Sequence, residues 1–317
     1  MQIMKPKEIY TKLFYVLLLS LLFISACSTT PIGSQEPIMD ERPGNLNESR
    51  VWIIAHRGAR SLAPENTLLA ASKALEHQAD GWELDVAMSL DGELVVLHDD
   101  TLERTSDAID VFPDRKPWSV YDFSFEDLRT LDFGSWFVGS DPFEQGIQGN
   151  ITSDEMEAYR GVRIPTLREA LEFTKANDWW VNIEIKDAGG THADGVIVAE
   201  TLALVDELEM EEQVLISSFN FEYLQQVRAL NPSIQIGLLV NQIVMDPVKV
   251  MREMDAQAYH PSMKYTYAKQ VQELREAGYA VNVWTVNEES DMQELIEMGV
   301  TGIITDFPQI LKAKMNP

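Results

Sequence analysis

Past residue 50, apolar strand-like runs and helix-like stretches take turns along the chain. The runs are VWIIAH, WELDVAM, ELVVLH, WVNIEIK, QVLISSF, SIQIGLLV, AQAYH, AVNVWTV and TGIIT. Between most of them lie helical patterns such as NTLLAASKALEHQ, TLREALEFTKAN, FEYLQQVRALN and AKQVQELREAG. Strand–helix–strand repetition implies a parallel sheet with helical crossovers. About eight such units in roughly 265 residues fit an α/β fold of the (β/α)₈ TIM-barrel type. A doubly wound open sheet is the alternative. No GxGxxG or GxxxxGKS/T run follows a strand, so the nucleotide-binding folds find no support.

Nine runs are one too many for the barrel. The surplus lies around SLDGE, because Ser89 to Glu93 is too short for a parallel crossover and Asp91-Gly92 is a turn signal. WELDVAM and ELVVLH are therefore expected to form an antiparallel hairpin. A turn centred on Leu90–Asp91 pairs Met88 with Glu93 and sets Glu83 opposite His98.

Carboxylates inside an apolar strand are costly unless a cation meets them. Glu83 and Asp85 are two apart and share a face, as do Asn182, Glu184 and Lys186 in WVNIEIK. A barrel interior can gather both faces near its C-terminal rim, where barrel active sites sit. Glu83, Asp85 and Glu184 would then converge and raise one another's pKa unless a cation is present. One hard divalent metal with oxygen ligands, Ca²⁺ or Mg²⁺, fits that set.

Residues 100–163 break the rhythm and carry many aromatics, among them Trp118, Tyr121, Phe123, Phe133 and Phe137. That stretch is too apolar for disorder and reads as a small subdomain inserted above the barrel mouth. It either covers the site or simply packs.

The first strand ends in His56-Arg57-Gly58, followed by Pro64-Glu65-Asn66-Thr67. A guanidinium binds phosphate oxygens bidentately, and an imidazole moves protons near neutral pH. His98 supplies a second imidazole, so an acid and a base are available. Lys186 adds positive charge for a phosphorane-like transition state.

Together HRG, PENT, ELD, LHD and EIK resemble the glycerophosphodiester phosphodiesterase family. So do GVRIPTLREAL (Gly161–Leu171), SSF (Ser217–Phe219), VWTVN (Val283–Asn287) and TGIITDFP (Thr301–Pro308). The resemblance runs from Val51 to Lys314, insertion included, and its specificity lies in the joint order and spacing of short motifs. It implies that His56 and His98 are the catalytic pair. Arg57 and Lys186 match the phosphate-binding cations, and Glu83, Asp85 and Glu184 the metal ligands. Glu65 matches a supporting glutamate near Arg57, and Trp284 an aromatic at the substrate-facing rim; Phe219 either forms an apolar wall for glycerol or simply packs. His77, His192 and His260 match no catalytic motif and read as structural or exposed. The implied reaction is hydrolysis of a glycerophosphodiester to sn-glycerol 3-phosphate and an alcohol such as choline or ethanolamine. Same-fold enzymes acting on lysophospholipids or sphingomyelin are an alternative reading, and a non-catalytic surface-binding lipoprotein is another.

At the N-terminus, Lys5, Lys7 and Lys12 precede the apolar run Leu13–Ala26, a signal-peptide pattern too short for a comfortable span. It closes on Ile24-Ser25-Ala26-Cys27, which resembles a bacterial lipobox, and Cys27 is the chain's single cysteine. Residues 1–27 thus read as a lipoprotein signal peptide with Cys27 lipidated. Residues 28–50 read as a flexible tether and 51–317 as the catalytic domain. The expected location is exported and lipid-anchored: outer membrane or periplasmic side in a Gram-negative cell, cell surface otherwise. A net charge of −26 argues against nucleic-acid binding; the expected partners are the small-molecule diester that the resemblance implies and, through the lipobox pattern, the membrane.

Overall fold

The computed structural model describes residues 50–315. The signal-peptide reading, lipidation at Cys27 and nearly all of the 28–50 tether lie outside the described residues. Nine strands run in chain order: β1 (Trp52–Ala55), β2 (Gly81–Met88), β3 (Leu94–Val96), β4 (Trp180–Ile185), β5 (Val214–Ser218), β6 (Gln235–Val240), β7 (Ala258–Pro261), β8 (Ala280–Val283) and β9 (Gly302–Thr305). Eight of them close a parallel barrel in the order β1-β9-β8-β7-β6-β5-β4-β2, with β1 also pairing β2. The expected (β/α)₈ barrel is therefore the observed fold. Helices Leu68–Glu76, Leu167–Ala176, Ile197–Glu207, Phe221–Leu230, Pro247–Glu253, Ala268–Glu276, Glu289–Met298 and Pro308–Met315 follow the strands.

Alternation divides the labour of each strand. Ile53, Ala55, Leu84, Val86, Ile183 and Ile185 pack outward in the main core against the helices. The inward residues Trp52, Ile54, Trp180, Leu215, Ala258, Ala280 and Ile304 form a second apolar cluster that fills the barrel. Trp52 and Trp180 meet edge to face there at 6.5 Å. Asn182, Ser217, His260 and Asn282 are also buried on these strands. The imidazole of His260 fits only because β6 offers Gly237, where an added Cβ would stand 2.8 Å from His260 Cε1.

Helix starts are written in the sequence. Thr67 caps Leu68–Glu76 by accepting from Ala70 N, and Asn220 caps Phe221–Leu230. Thr166 and Glu169 form a reciprocal capping box at Leu167–Ala176.

β3 is the ninth strand, antiparallel to the second half of β2. The expected register is corrected by one residue: Met88 pairs Leu94, not Glu93. The cause is the loop. Ser89 N donates to Glu93 O at 2.9 Å, leaving three loop residues, and Gly92 takes φ +90° at the last of them. His98 thus falls beyond the β3 pairing instead of opposite Glu83, and Leu97 N binds Asp85 O at 3.0 Å.

Residues 100–163 fold as short helices, Ala108–Val111, Phe125–Leu128, Ser135–Ser140 and Ser153–Ala158, with a 3₁₀ turn at Val120–Asp122. Their aromatics Tyr121, Phe123, Phe133, Phe137 and Tyr159 are buried. Each such ring contributes on the order of 2 kcal/mol from apolar burial. The segment is tied to the hairpin tip, where Leu90 N donates to Phe123 O and Phe125 N to Asp91 Oδ1, both at 2.8 Å.

Candidate active site

Parallel pairing of β2 with β4 places Glu83 beside Asn182 and Asp85 beside Glu184. One ligand oxygen from each of Glu83, Asp85 and Glu184 lies within 4.8 Å of the others. These groups are 3 %, 0 % and 9 % exposed. Glu83 Oε1 is buried without a hydrogen-bond partner. Burial, then Asp85 and Glu184, push the Glu83 carboxyl well above the usual range. Burial and Asp85 likewise raise Glu184. Burial opposes ionisation of Asp85 too, but Lys186 and Arg57 outweigh it and hold it low. A buried, all-oxygen donor set with an orphaned carboxylate oxygen fits a hard divalent cation.

Two basic groups brace this cluster. Lys186 Nζ donates to Glu184 Oε1 at 2.7 Å and lies 3.5 Å from Asp85 Oδ1. Arg57 N donates to Glu83 Oε2 at 2.8 Å, and its Nε lies 3.4 Å from Asp85 Oδ2. Arg57 adopts φ +55° and Asn66 φ +57°, left-handed conformations rare outside glycine. Asn66 N donates to Arg57 O at 3.0 Å, while Asn66 Nδ2 donates to Asp85 Oδ2 at 2.8 Å. The PENT turn thus locks the strand end onto the carboxylates.

His56 and His98 each rest Nδ1 on an aspartate. His56 Nδ1 is 2.7 Å from Asp306 Oδ1, and His98 Nδ1 is 2.6 Å from Asp99 Oδ1. That leaves Nε2 of each ring to meet a ligand, and both residues line one pocket with Arg57, Glu83, Glu184 and Trp284. Burial and then Arg57 lower the His56 pKa, with Asp306 working the other way. Burial opposes the Asp306 charge, but His56 and its hydrogen bond hold the group below the usual range.

Glu65 sits behind the pocket rather than in it. Its carboxylate accepts from Arg57 Nη1 at 2.8 Å and from both terminal nitrogens of Arg104, at 3.0 and 2.7 Å. Arg60 pairs with it at 2.9 Å. Arg104 also donates Nε to Asp99 Oδ2 at 2.6 Å, and Arg60 lies 3.6 Å from Asp306. A single run of ion pairs therefore joins the two His–Asp pairs through Glu65.

Phe219 and Trp284 also line the pocket, edge to face at 5.4 Å. His260 is fully buried, with burial lowering its pKa to about 3. His192 binds Ser89 O at 3.0 Å, and neither it nor His77 lines the pocket. Sequence reasoning passed over Asp306, Asp99, Arg60, Arg104, Asn66 and Asn287. A signal existed for two of them: Asp99 follows His98 directly, and Asp306 follows the last strand, at the rim position that His56 holds after the first.

Residues 56–310 match the glycerophosphoryl diester phosphodiesterase family. A glycerophosphodiester phosphodiesterase of Caldanaerobacter subterraneus subsp. tengcongensis is 36% identical over 262 residues, 83% of this chain and 96% of the relative. One from Bacillus subtilis is 31% identical over 281 residues, 86% of this chain and 90% of its own. Among solved structures, an Oleispira antarctica phosphodiesterase in complex with the product sn-glycerol-3-phosphate superposes with a TM-score of 0.69. It is 30% identical, and the match covers 84% of this chain and 97% of that one.

Proposed function

The chain belongs to the glycerophosphoryl diester phosphodiesterase family, and we propose that it hydrolyses glycerophosphodiesters to sn-glycerol 3-phosphate and an alcohol. The observation that carries this reading is the pair of imidazoles, each held by Nδ1 on an aspartate, sharing one pocket with Glu83 and Glu184 of the three-carboxylate cluster.

His56, kept neutral by burial and Arg57, takes the proton of the glycerol 2-hydroxyl on Nε2. That oxygen attacks phosphorus, and the bond to the leaving alcohol breaks. His98, nearer the solvent with its side chain 30% exposed, gives the alcohol its proton. A water then opens the cyclic phosphate with the proton roles reversed. Arg57 and Lys186 stabilise the charge on the equatorial oxygens. Glu83, Asp85 and Glu184 would hold Ca²⁺ or Mg²⁺, which supplies Lewis-acid polarisation of the phosphoryl oxygens.

The test is release of glycerol 3-phosphate from glycerophosphocholine by protein lacking residues 1–27. Activity should vanish with EDTA and return with one of the two metals. No release with either metal from folded protein would overturn the reading.

Export and lipid anchoring through Cys27 are part of the same proposal, resting on the Leu13–Cys27 pattern. The expected site is the outer membrane or periplasmic side in a Gram-negative cell and the cell surface otherwise. Radiolabelled palmitate should enter the full chain and not Cys27→Ser; equal labelling would remove the anchor from the proposal.

A further inference from the structure

The two His–Asp pairs are held in different ways. His56 follows β1 directly, and its N donates to Thr305 O at 2.9 Å. Its partner Asp306 is buried and takes a second bond from Asn287 Nδ2 at 2.7 Å. His98 lies past the last paired residue of β3, in a bend of the chain, and its partner is the very next residue. The side chains of His98 and Asp99 are 30% and 26% exposed. Water competes for a bond at that exposure, and such a pair by itself is worth little. It keeps one geometry only if the carboxylate is pinned from its other side.

Arg104 supplies the pin. Its Nε donates to Asp99 Oδ2 at 2.6 Å, while Asp99 Oδ1 meets His98 Nδ1 at 2.6 Å. Its terminal nitrogens are both engaged by Glu65, Nη1 with Oε2 at 3.0 Å and Nη2 with Oε1 at 2.7 Å. Glu65 is buried and is itself held by Arg57 and Arg60. A planar guanidinium gripped at three nitrogens fixes its partner in direction as well as distance. Trp136 stands beside it, with its ring centroid 5.9 Å from Arg104 Cζ. The backbone that carries Arg104 is tied down in turn, because Leu102 N donates to Trp118 O and Val120 N to Asp100 O. Arg104 and Trp136 both belong to the segment 100–163 that interrupts the barrel rhythm.

We propose that Arg104 is the positioning residue for His98. It fixes Asp99, Asp99 fixes the ring through Nδ1, and the Nε2 proton is thereby aimed at the oxygen of the departing alcohol. The inserted segment completes the proton-donating half of the site. This rests on the hydrolytic reading above and deepens it. In the step concerned, the glycerol 2-oxygen bonds to phosphorus, the bond from phosphorus to the alcohol oxygen breaks, and the His98 Nε2 proton passes to that oxygen. An alcohol that departs as a stable anion has no need of the proton, and so no need of Arg104.

The experiment compares glycerophosphocholine with the p-nitrophenyl ester of glycerol 3-phosphate, with Ca²⁺ or Mg²⁺ present. Single turnovers with enzyme in excess read alcohol release alone. Arg104→Met keeps an apolar stem beside Trp136 and removes all three donors. Choline release should fall at least about tenfold, part of the roughly 10²–10⁴-fold that a positioned acid supplies, while nitrophenol release stays within about twofold. Arg104 has a side chain 41% exposed, and retained nitrophenol release would itself report a folded site. Arg104→Lys keeps the charge but cannot bridge Asp99 and Glu65 in one plane, so it should show the same split. His98→Ala should show it more strongly. Equal losses on both diesters in Arg104→Met, or no loss on either, would overturn the positioning role; a split retained in His98→Ala would then leave the hydrolytic reading standing. No split in His98→Ala would overturn the acid assignment and this proposal with it. Hydrolysis of neither diester by the wild type would overturn the hydrolytic reading as well.

Discussion

Asp306→Asn is the sharpest test of how the site controls its protons. The Asp306 carboxylate accepts on both oxygens: Oδ1 stands 2.7 Å from His56 Nδ1, and Oδ2 takes Asn287 Nδ2 at 2.7 Å. An amide has only one oxygen to offer. If its NH₂ faces Asn287, two donors confront each other, and Asn287 cannot turn without losing the bond its Oδ1 accepts from residue 306 N at 3.0 Å. If its NH₂ faces His56, Nδ1 must become the acceptor. The ring proton then sits on Nε2, the nitrogen that takes the substrate's proton in the proposed mechanism. Either arrangement costs about 2–3 kcal/mol, the range for a buried donor left unpaired or a charged hydrogen bond lost. In the second arrangement, where the ring proton is misplaced, that converts to a fall in kcat of roughly thirtyfold to a hundred-and-sixtyfold. The charge of Asp306 also raises the His56 pKa against burial and Arg57. Removing it lowers that pKa further, so the acid limb of the kcat/KM profile, where the base protonates, should move to lower pH. The assay is glycerol 3-phosphate release across pH, with metal affinity measured alongside as a control. A kcat within twofold of wild type and an unmoved acid limb would refute the tautomer argument.

Glu65→Gln removes the charge shared by Arg57, Arg60 and Arg104. Arg60 and Arg104 can turn to solvent, so the cost should sit near about 3 kcal/mol, the low end for a broken buried pair. Calorimetry should show a Tm lower by roughly 6–12 °C, and a change under 2 °C, about 1 kcal/mol or less, would count against a structural role for Glu65. The Glu65 carboxyl is held low by Arg104 and Arg57 against burial, so its stabilisation is present above the unfolded pKa and lost as pH falls. His260→Asn probes the opposite kind of group. Burial lowers the His260 pKa to about 3, so above the unfolded value the ring is neutral in both states. Below it only the unfolded chain binds the proton, and stability drops about 1.4 kcal/mol per pH unit. Urea unfolding at two pH values between about 6.5 and 5 should give a shallower slope for the variant, whereas identical slopes would mean His260 is protonated in the fold. Glu83→Gln should weaken metal binding in calorimetric titration and lower activity together, with partial rescue at high metal. Unchanged affinity would remove Glu83 from the ligand set.

Period-two alternation made part of the site legible. Glu83 and Asp85 share a strand face, and parallel pairing then sets Asp85 beside Glu184 with no further information needed. The hairpin was legible as a hairpin but not in register, because the turn dipeptide Asp91-Gly92 does not say how many residues the loop holds. Gly92 at φ +90° closes a three-residue loop and shifts every pair by one. The partners of the histidines were the least legible. His56 and Asp306 are 250 positions apart and meet only because β1 and β9 are neighbours in a closed barrel. Arg104 reaches Glu65 across 39 positions from a segment with no periodicity to read.

The same alternation explains why fold and site can be separated at all. Outward residues of β2 and β4, such as Leu84, Val86, Ile183 and Ile185, bury against helices and carry the stability. Inward residues of the same strands, Glu83, Asp85 and Glu184, contribute little favourable burial and, without a cation, oppose one another. An apolar side chain at any of the three would be cheaper for folding. The fold tolerates the buried carboxylates because Arg57 and Lys186 offset part of the repulsion. The orphaned Glu83 Oε1 marks what remains unbalanced. The site is thus where the chain departs from what packing alone would choose, and that departure is what the opening strands of the sequence already display.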